Sequence, residues 1–143
     1  MAPNGGQAMA AQGTPEPMEL AVVLSSEASQ ERAETLARQL LERRLVACVS
    51  LLPVRSLYHW QGALECGDEV KLLLKTSPAL LPPLRQALLA LHSYATPEWI
   101  VLQGSSEGAY AAWLSSVLGP MGLSPGVPPP APAGSPGDAD PAG

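Results

Sequence analysis

Two imidazoles, two thiols and thirteen carboxylates are the groups of this chain that could do chemistry. His92 carries the most direct possibility: an imidazole joined by carboxylates from other loops is a donor set suited to a divalent cation, and Glu27 and Glu98 are the carboxylates a fold could bring to it. The plainer alternative for each of the three is a hydrogen-bonded or surface role, and His59, placed before Trp60, has no second donor near it in sequence. Cys48 and Cys66 are too few for a disulfide scaffold; Cys48 beside Val49 reads as a small buried hydrophobe, which fits a reducing compartment. Lys75 and Tyr94 could line a cleft for a small molecule, although an isolated Lys on a strand is ordinarily solvated.

Several chemistries drop out. A soft-metal carrier would place a Cys-x-x-Cys pair after the first strand, where this chain reads SSEASQ. A phosphate-cleaving site would need a Gly-rich cradle and an Asn, and the sole Asn is Asn4. No nucleophile has an obvious His partner, so neither catalytic nor cofactor-binding residues are assigned. RNA recognition would need stacking aromatics on the third strand, but DEVKLLLKT has none and the chain contains no Phe. All eight Lys and Arg lie between Arg32 and Arg85 and the net charge is −5, which argues against nucleic acid and anionic membranes as partners.

The elements that must hold these residues follow from periodicity. Leu20, Val22 and Leu24 alternate with Ala21 and Val23 in a first strand ending at Ser25 and Ser26. Ser29 caps a helix whose apolar positions are Ala33, Leu36, Ala37, Leu40 and Leu41. Arg44 to Gly62 contains one long strand, Cys48 to Trp60, in which Pro53 implies a bulge or an edge position. Val49, Leu51 and Leu57 share one face, and Cys48, Leu52, Val54, Tyr58 and Trp60 the other. Gln61 to Gly67 turns the chain back into a strand around Val70, Leu72 and Leu74. Ser77 is placed to cap a helix with a Leu81, Leu84, Leu88 and Leu91 stripe; Trp99 to Gln103 reads as a buried fourth strand, and Ala109 to Leu118 as a closing helix bearing Tyr110 and Trp113.

The order βαββαβ plus α predicts an α+β fold of ferredoxin-like topology, with helices on one sheet face. Apolar residues on both strand faces predict a closed homo-oligomer in which the long hairpin joins or covers a neighbour. The domain is placed at 18–118, with disordered segments at 1–17 and 119–143, the latter rich in Pro and Gly. The first fifteen residues have no basic or apolar character of a signal, and no run approaches a membrane span, so a cytoplasmic protein without direct membrane insertion is expected.

With these motifs in place, the chain resembles the CutA family of divalent cation tolerance proteins. The matching stretches are RLVACVSLLP at 44–53, SLYHWQG at 56–62, EVKLLLKT at 69–76, HSYATPEWIVL at 92–102 and AYAAWL at 109–114. The resemblance implies a ferredoxin-like homotrimer without established enzymatic activity, linked to divalent metals and to copper(II) especially, with no cation required for folding. It also implies a likeness to PII signalling proteins, with ligand sensing between subunits, and, for mammalian-type members, a protein partner in anchoring acetylcholinesterase. Tyr58, Trp60, Lys75, Tyr94 and Trp113 look like residues of the inter-subunit cleft or trimer interface. The pattern is that of a diverged mammalian-type homologue: the family's TTCP is replaced by Ser25, Ser26, Glu27 and Ala28, and its HPYE by His92, Ser93, Tyr94 and Ala95. The expected function is metal response or a protein scaffold with weak cation binding at His92, Glu27 and Glu98; the rivals are a pure interaction or anchoring module and a PII-like small-molecule sensor.

Overall fold

Alternation at a period of two gives four strands, and a period near 3.6 between them gives the helices that cover one side. The structure, a computed structural model, describes residues 17–119; apart from Pro17 and Gly119, the two terminal segments expected to be disordered lie outside these residues. The elements in order are β1 (Met18–Glu27), α1 (Gln30–Glu42), β2 (Cys48–Trp60), β3 (Ala63–Thr76), a 3₁₀ turn (Pro78–Leu80), α2 (Leu81–Leu91), β4 (Ile100–Ser106) and α3 (Gly108–Val117). The sheet order is β2-β3-β1-β4 with every neighbouring pair antiparallel. That is the ferredoxin-like split βαβ arrangement with an added helix.

The core forms between one sheet face and α1 and α2. Val23 of β1 and Leu72 and Leu74 of β3 meet Leu36 and Leu40 of α1 and Leu84 and Leu88 of α2. Ser29 caps α1 as the sequence requires, its Oγ accepting from the Arg32 N–H at 3.2 Å. The far end of α1 closes with Leu45 N–H donating to Leu40 O and Arg44 N–H to Leu41 O, and Arg44 takes a φ of 58°. These are the paired bonds of a Schellman motif, with Arg where Gly is usual. The Arg44 side chain also donates to Val117 O at 2.7 Å, and Gly119 N–H to Arg44 O at 2.9 Å, which ties the end of α3 to the end of α1. A second cluster forms there, Leu114 and Leu118 packing with Ala47, Leu80, Met18 and Leu20.

Pro53 marks an edge rather than a bulge: β2 is the outermost strand and pairs with β3 in unbroken register from Cys48↔Lys75 to Trp60↔Ala63. The turn is shorter than the sequence implied. Only Gln61 and Gly62 form it, with φ values of 49° and 82°, the two positive values of a type I′ hairpin, and Ala63 to Gly67 already belong to β3. Since β1 pairs with β3 only as far as Glu27↔Val70, Ala63 to Glu69 and their β2 partners project beyond the sheet. At about 3.4 Å per residue this two-stranded arm reaches roughly 24 Å.

Two further expectations need correction. Ser77 makes no side-chain cap; Pro78 opens a 3₁₀ turn, and the missing N–H groups of Pro82 and Pro83 fall in the first turn of α2, where none is needed. The fourth strand is not buried. It is the other edge, and Ile100 and Leu102 point away from the helices and are about half exposed, at 46% and 50%, while Val101 packs on the core.

Ser25 lies fully buried on the helical face, and among the described residues its hydroxyl has no hydrogen-bond partner. Removing an unsatisfied buried hydroxyl relieves a desolvation penalty, so Ser25→Ala should raise stability by about 1 kcal/mol in denaturant unfolding. Gln61→Asn, which suits the positive φ better, should raise the thermal midpoint slightly and leave the fold unchanged by circular dichroism.

Candidate functional site

Adjacent residues on a strand point to opposite faces, and this decides what the end of β1 can gather. Glu27 points to the helical side and is 2% exposed. There it meets the segment that follows α2. Its Oε2 accepts from the Ser93 N–H at 3.0 Å, its Oε1 from the Ser93 hydroxyl at 2.6 Å, and Oε1 also from the Ala28 N–H at 2.9 Å. His92, the C-cap of α2, is buried beside it, with Nδ1 3.4 Å from Oε2.

The main chain sets the imidazole tautomer. Tyr94 N–H donates to His92 Nδ1 at 3.0 Å, which makes Nδ1 an acceptor and leaves Nε2–H to donate to Ser26 O at 2.7 Å. Both ring nitrogens are therefore engaged, and neither is available to take a proton from Ser93. The Ser93 hydroxyl therefore has no imidazole base, and the carboxylate it does meet, Glu27, is a weak one because its own hydrogen bonds stabilise the charged form.

Ser26 points to the other face. Its hydroxyl donates to Glu98 Oε1 at 2.9 Å, and the same oxygen pairs with Lys71 Nζ at 2.8 Å. Near this pair, Tyr94 OH donates to Glu69 Oε2 at 2.8 Å, and its ring lies 4.9 Å from that of His92. Burial first, and then the Glu69 carboxylate that its hydroxyl meets, push the Tyr94 phenol far above its ordinary value, so it remains a donor.

The three proposed cation ligands thus sit around one strand end in two groups, Glu27 with His92 on the helical side and Glu98 with Lys71 on the other. Glu27 already accepts three hydrogen bonds, His92 uses both nitrogens, and Glu98 has an ammonium partner. As arranged, these donors do not fit a divalent ion. Among the described residues no group of three or more His, Cys, Asp and Glu side chains is placed to hold one.

The expected cleft residues also divide. Lys75 does not meet Tyr94; its Nζ is 3.4 Å from Tyr110 OH and 5.8 Å from that ring's centroid, and Tyr110 in turn packs on Trp113 with centroids 5.4 Å apart. Tyr58 and Trp60 lie exposed on the arm. Sequence reasoning missed Ser93, Glu69 and Lys71. Lys71 and Glu69 share the parity of Lys75 on β3, a signal for their common face, but nothing local announces that Ser93 reaches a residue 66 positions away.

Burial alone would raise the Glu27 carboxyl, but the Ser93 hydroxyl, then the Ser93 and Ala28 N–H groups, outweigh it and hold the value below the ordinary one, with the adjacent His92 ring acting in the same direction. A carboxyl depressed in the folded state adds stability above its unfolded value and loses it as pH falls through the folded value. Acid unfolding of the wild type should therefore include a stability loss beginning below about pH 4.5. Glu27→Gln should flatten that limb and cost about 1–3 kcal/mol at neutral pH, measured by denaturant unfolding across pH.

A family model described as CutA1 divalent ion tolerance protein matches residues 21–117. The divalent-cation tolerance protein CutA of Thermus thermophilus is 40% identical over 102 residues, covering 68% of this chain and 97% of the relative. That of Pectobacterium atrosepticum is 42% identical over 99 residues, covering 68% and 90%. Among solved structures, CutA from Synechococcus elongatus superposes with a TM-score of 0.70 at 36% identity, covering 76% of this chain and 98% of that one. CutA1 from Pyrococcus horikoshii gives 0.68 at 30% identity, covering 70% and 99%. With the ferredoxin-like sheet, the long hairpin and a match across nearly all the described residues, this chain belongs to the CutA1 divalent ion tolerance family.

Proposed function

We propose that this protein is a non-enzymatic homotrimeric scaffold of the divalent-cation tolerance family, working through the surface its subunits build together. The observation that carries this reading is the uncovered sheet face. Leu52, Tyr58 and Trp60 of β2 and Ile100 and Leu102 of β4 are exposed there, and Leu57 and Leu64 stand 77% and 76% exposed on the arm's other side. Large apolar side chains exposed together on one face mark an interaction surface, and a neighbour's sheet and arm would cover them. Tyr58, Trp60, Lys75, Tyr94 and Trp113 would then line or adjoin the subunit boundaries, where a protein partner or small ligand would meet more than one subunit. Among the described residues no helix is long and apolar enough to cross a membrane.

A second reading has the relatives' printed names behind it. Divalent-cation tolerance would extend here to weak copper(II) binding by His92 with Glu27 or Glu98. It requires the hydrogen bonds of Glu27 and the Nδ1 contact of His92 to open first, which disfavours it against the scaffold.

Native mass spectrometry with and without one equivalent of copper(II) tests both. The scaffold reading expects a trimer, and a double Leu52→Asp, Leu102→Asp variant that dissociates to folded monomers; a wild-type monomer would sink it. The copper reading expects stoichiometric uptake that disappears in His92→Ala.

A further inference from the structure

Glu27 is a buried carboxylate beside an imidazole, the beginning of a cation site, yet its lone pairs are directed at donors of the protein itself. Two of its three hydrogen bonds come from one residue, Ser93, through main-chain N–H and side-chain O–H. The third is the local Ala28 N–H, one residue along. Ser93 itself is exposed, so hydrophobic packing is not what fixes it over Glu27. The contacts either side of it hold the same segment: His92 to Ser26 O before it and Tyr94 to Glu69 after it, with Glu98 tied to Lys71 and Ser26 at the segment's end.

We infer that Ser93 determines whether this end of the sheet takes a divalent cation: by giving both its N–H and its O–H to Glu27 it turns Glu27 and His92 into a closed clasp between β1 and the segment after α2. The chemistry sets the direction. A carboxylate accepting two strong donors from one residue loses the lone pairs a metal would use, and a cation would have to displace charge-assisted bonds at 2.6 and 3.0 Å before gaining its own. Without those donors, Glu27 keeps only the Ala28 N–H, and a cation has one further bond to displace, that of the Tyr94 N–H to Nδ1, before the carboxylate and the Nδ1 3.4 Å away become a two-donor beginning of a site, to be completed by water. This inference rests on the reading in which Glu27 and His92 are structural, and it is independent of the trimer.

The test uses the full chain, with copper(II) as probe, in wild type, Ser93→Pro and Ser93→Ala. Proline removes both donors and alanine only the hydroxyl. Copper binding is read by calorimetry and by the nitrogen hyperfine pattern in electron paramagnetic resonance. Wild type is expected to show no His92-dependent copper, and Ser93→Pro to bind copper at least about tenfold more tightly, the usual scale of an outer-shell change around a metal. That gain should vanish when His92→Ala is added, which separates it from His59. Ser93→Ala guards against a proline variant that does not fold: its amides at positions 28 and 93 should exchange hydrogen faster than in wild type while the core strands stay protected. His92-dependent copper in the wild type, a folded Ser93→Pro that gains none, or unchanged exchange in Ser93→Ala would each overturn the inference. A monomer by native mass spectrometry would overturn the scaffold reading alone.

Discussion

A four-stranded antiparallel sheet has two faces, and this chain has helices for one of them. β1 and β3 carry apolar side chains on both sides: Val23, Leu72 and Leu74 toward α1 and α2, and Leu20, Val22, Leu24 and Leu73 away from them. Apart from Leu114, the large fully buried apolar side chains belong to the core that α1 and α2 cover, and α3 reaches only the corner where Leu114 and Leu118 meet Met18 and Leu20. Each Å² of apolar surface left on the remaining face forgoes roughly 25 cal/mol of burial. The arm extends the same problem beyond the sheet, since a two-stranded ribbon alone is marginal in water. The self-association proposed above would answer both at once.

The end of β1 faces the opposite demand. A carboxylate removed from water costs several kcal/mol unless hydrogen bonds replace its hydration, and Glu27 obtains three. Two of these come from the segment after α2, so the charge organises the loop as much as the loop stabilises the charge. His92 is held by main-chain partners on both nitrogens, which fixes its ring plane and leaves Tyr94 placed to reach Glu69. On the other face, Ser26, Glu98 and Lys71 form a polar island amid the apolar residues of the uncovered side. Charges and hydrogen bonds of that kind specify register and orientation between docking surfaces more than they add affinity.

Much of this was legible from the residues in order. The α1 stripe of Ala33, Leu36, Ala37 and Leu40, the Ser29 cap, the two faces of β2 and the edge position implied by Pro53 all follow from local rules of period and donor chemistry, and they hold, whereas Leu41, read as part of the same stripe, is exposed. Local rules misjudged the hairpin turn, because Gln61 accepts a positive φ that sequence preference gives to Asn or Gly, and they misjudged β4, because an apolar run does not reveal that its strand lies at a sheet edge.

The sequence by itself determined the elements, their order and therefore the topology, because periodicity and capping act over a few residues and crossovers are restricted in hand. It also singled out Glu27, His92 and Glu98 as groups with chemical potential. Only the tertiary structure decided what those groups face. Ser93 lies 66 residues from Glu27, and Glu98 lies 72 from Ser26, so their pairing depends on how the segment after α2 returns across β1. The alternation of β1 then sends Ser26 and Glu27 to opposite faces, which separates Glu98 from Glu27 and makes two hydrogen-bonded groups of what the sequence presented as one set of ligands.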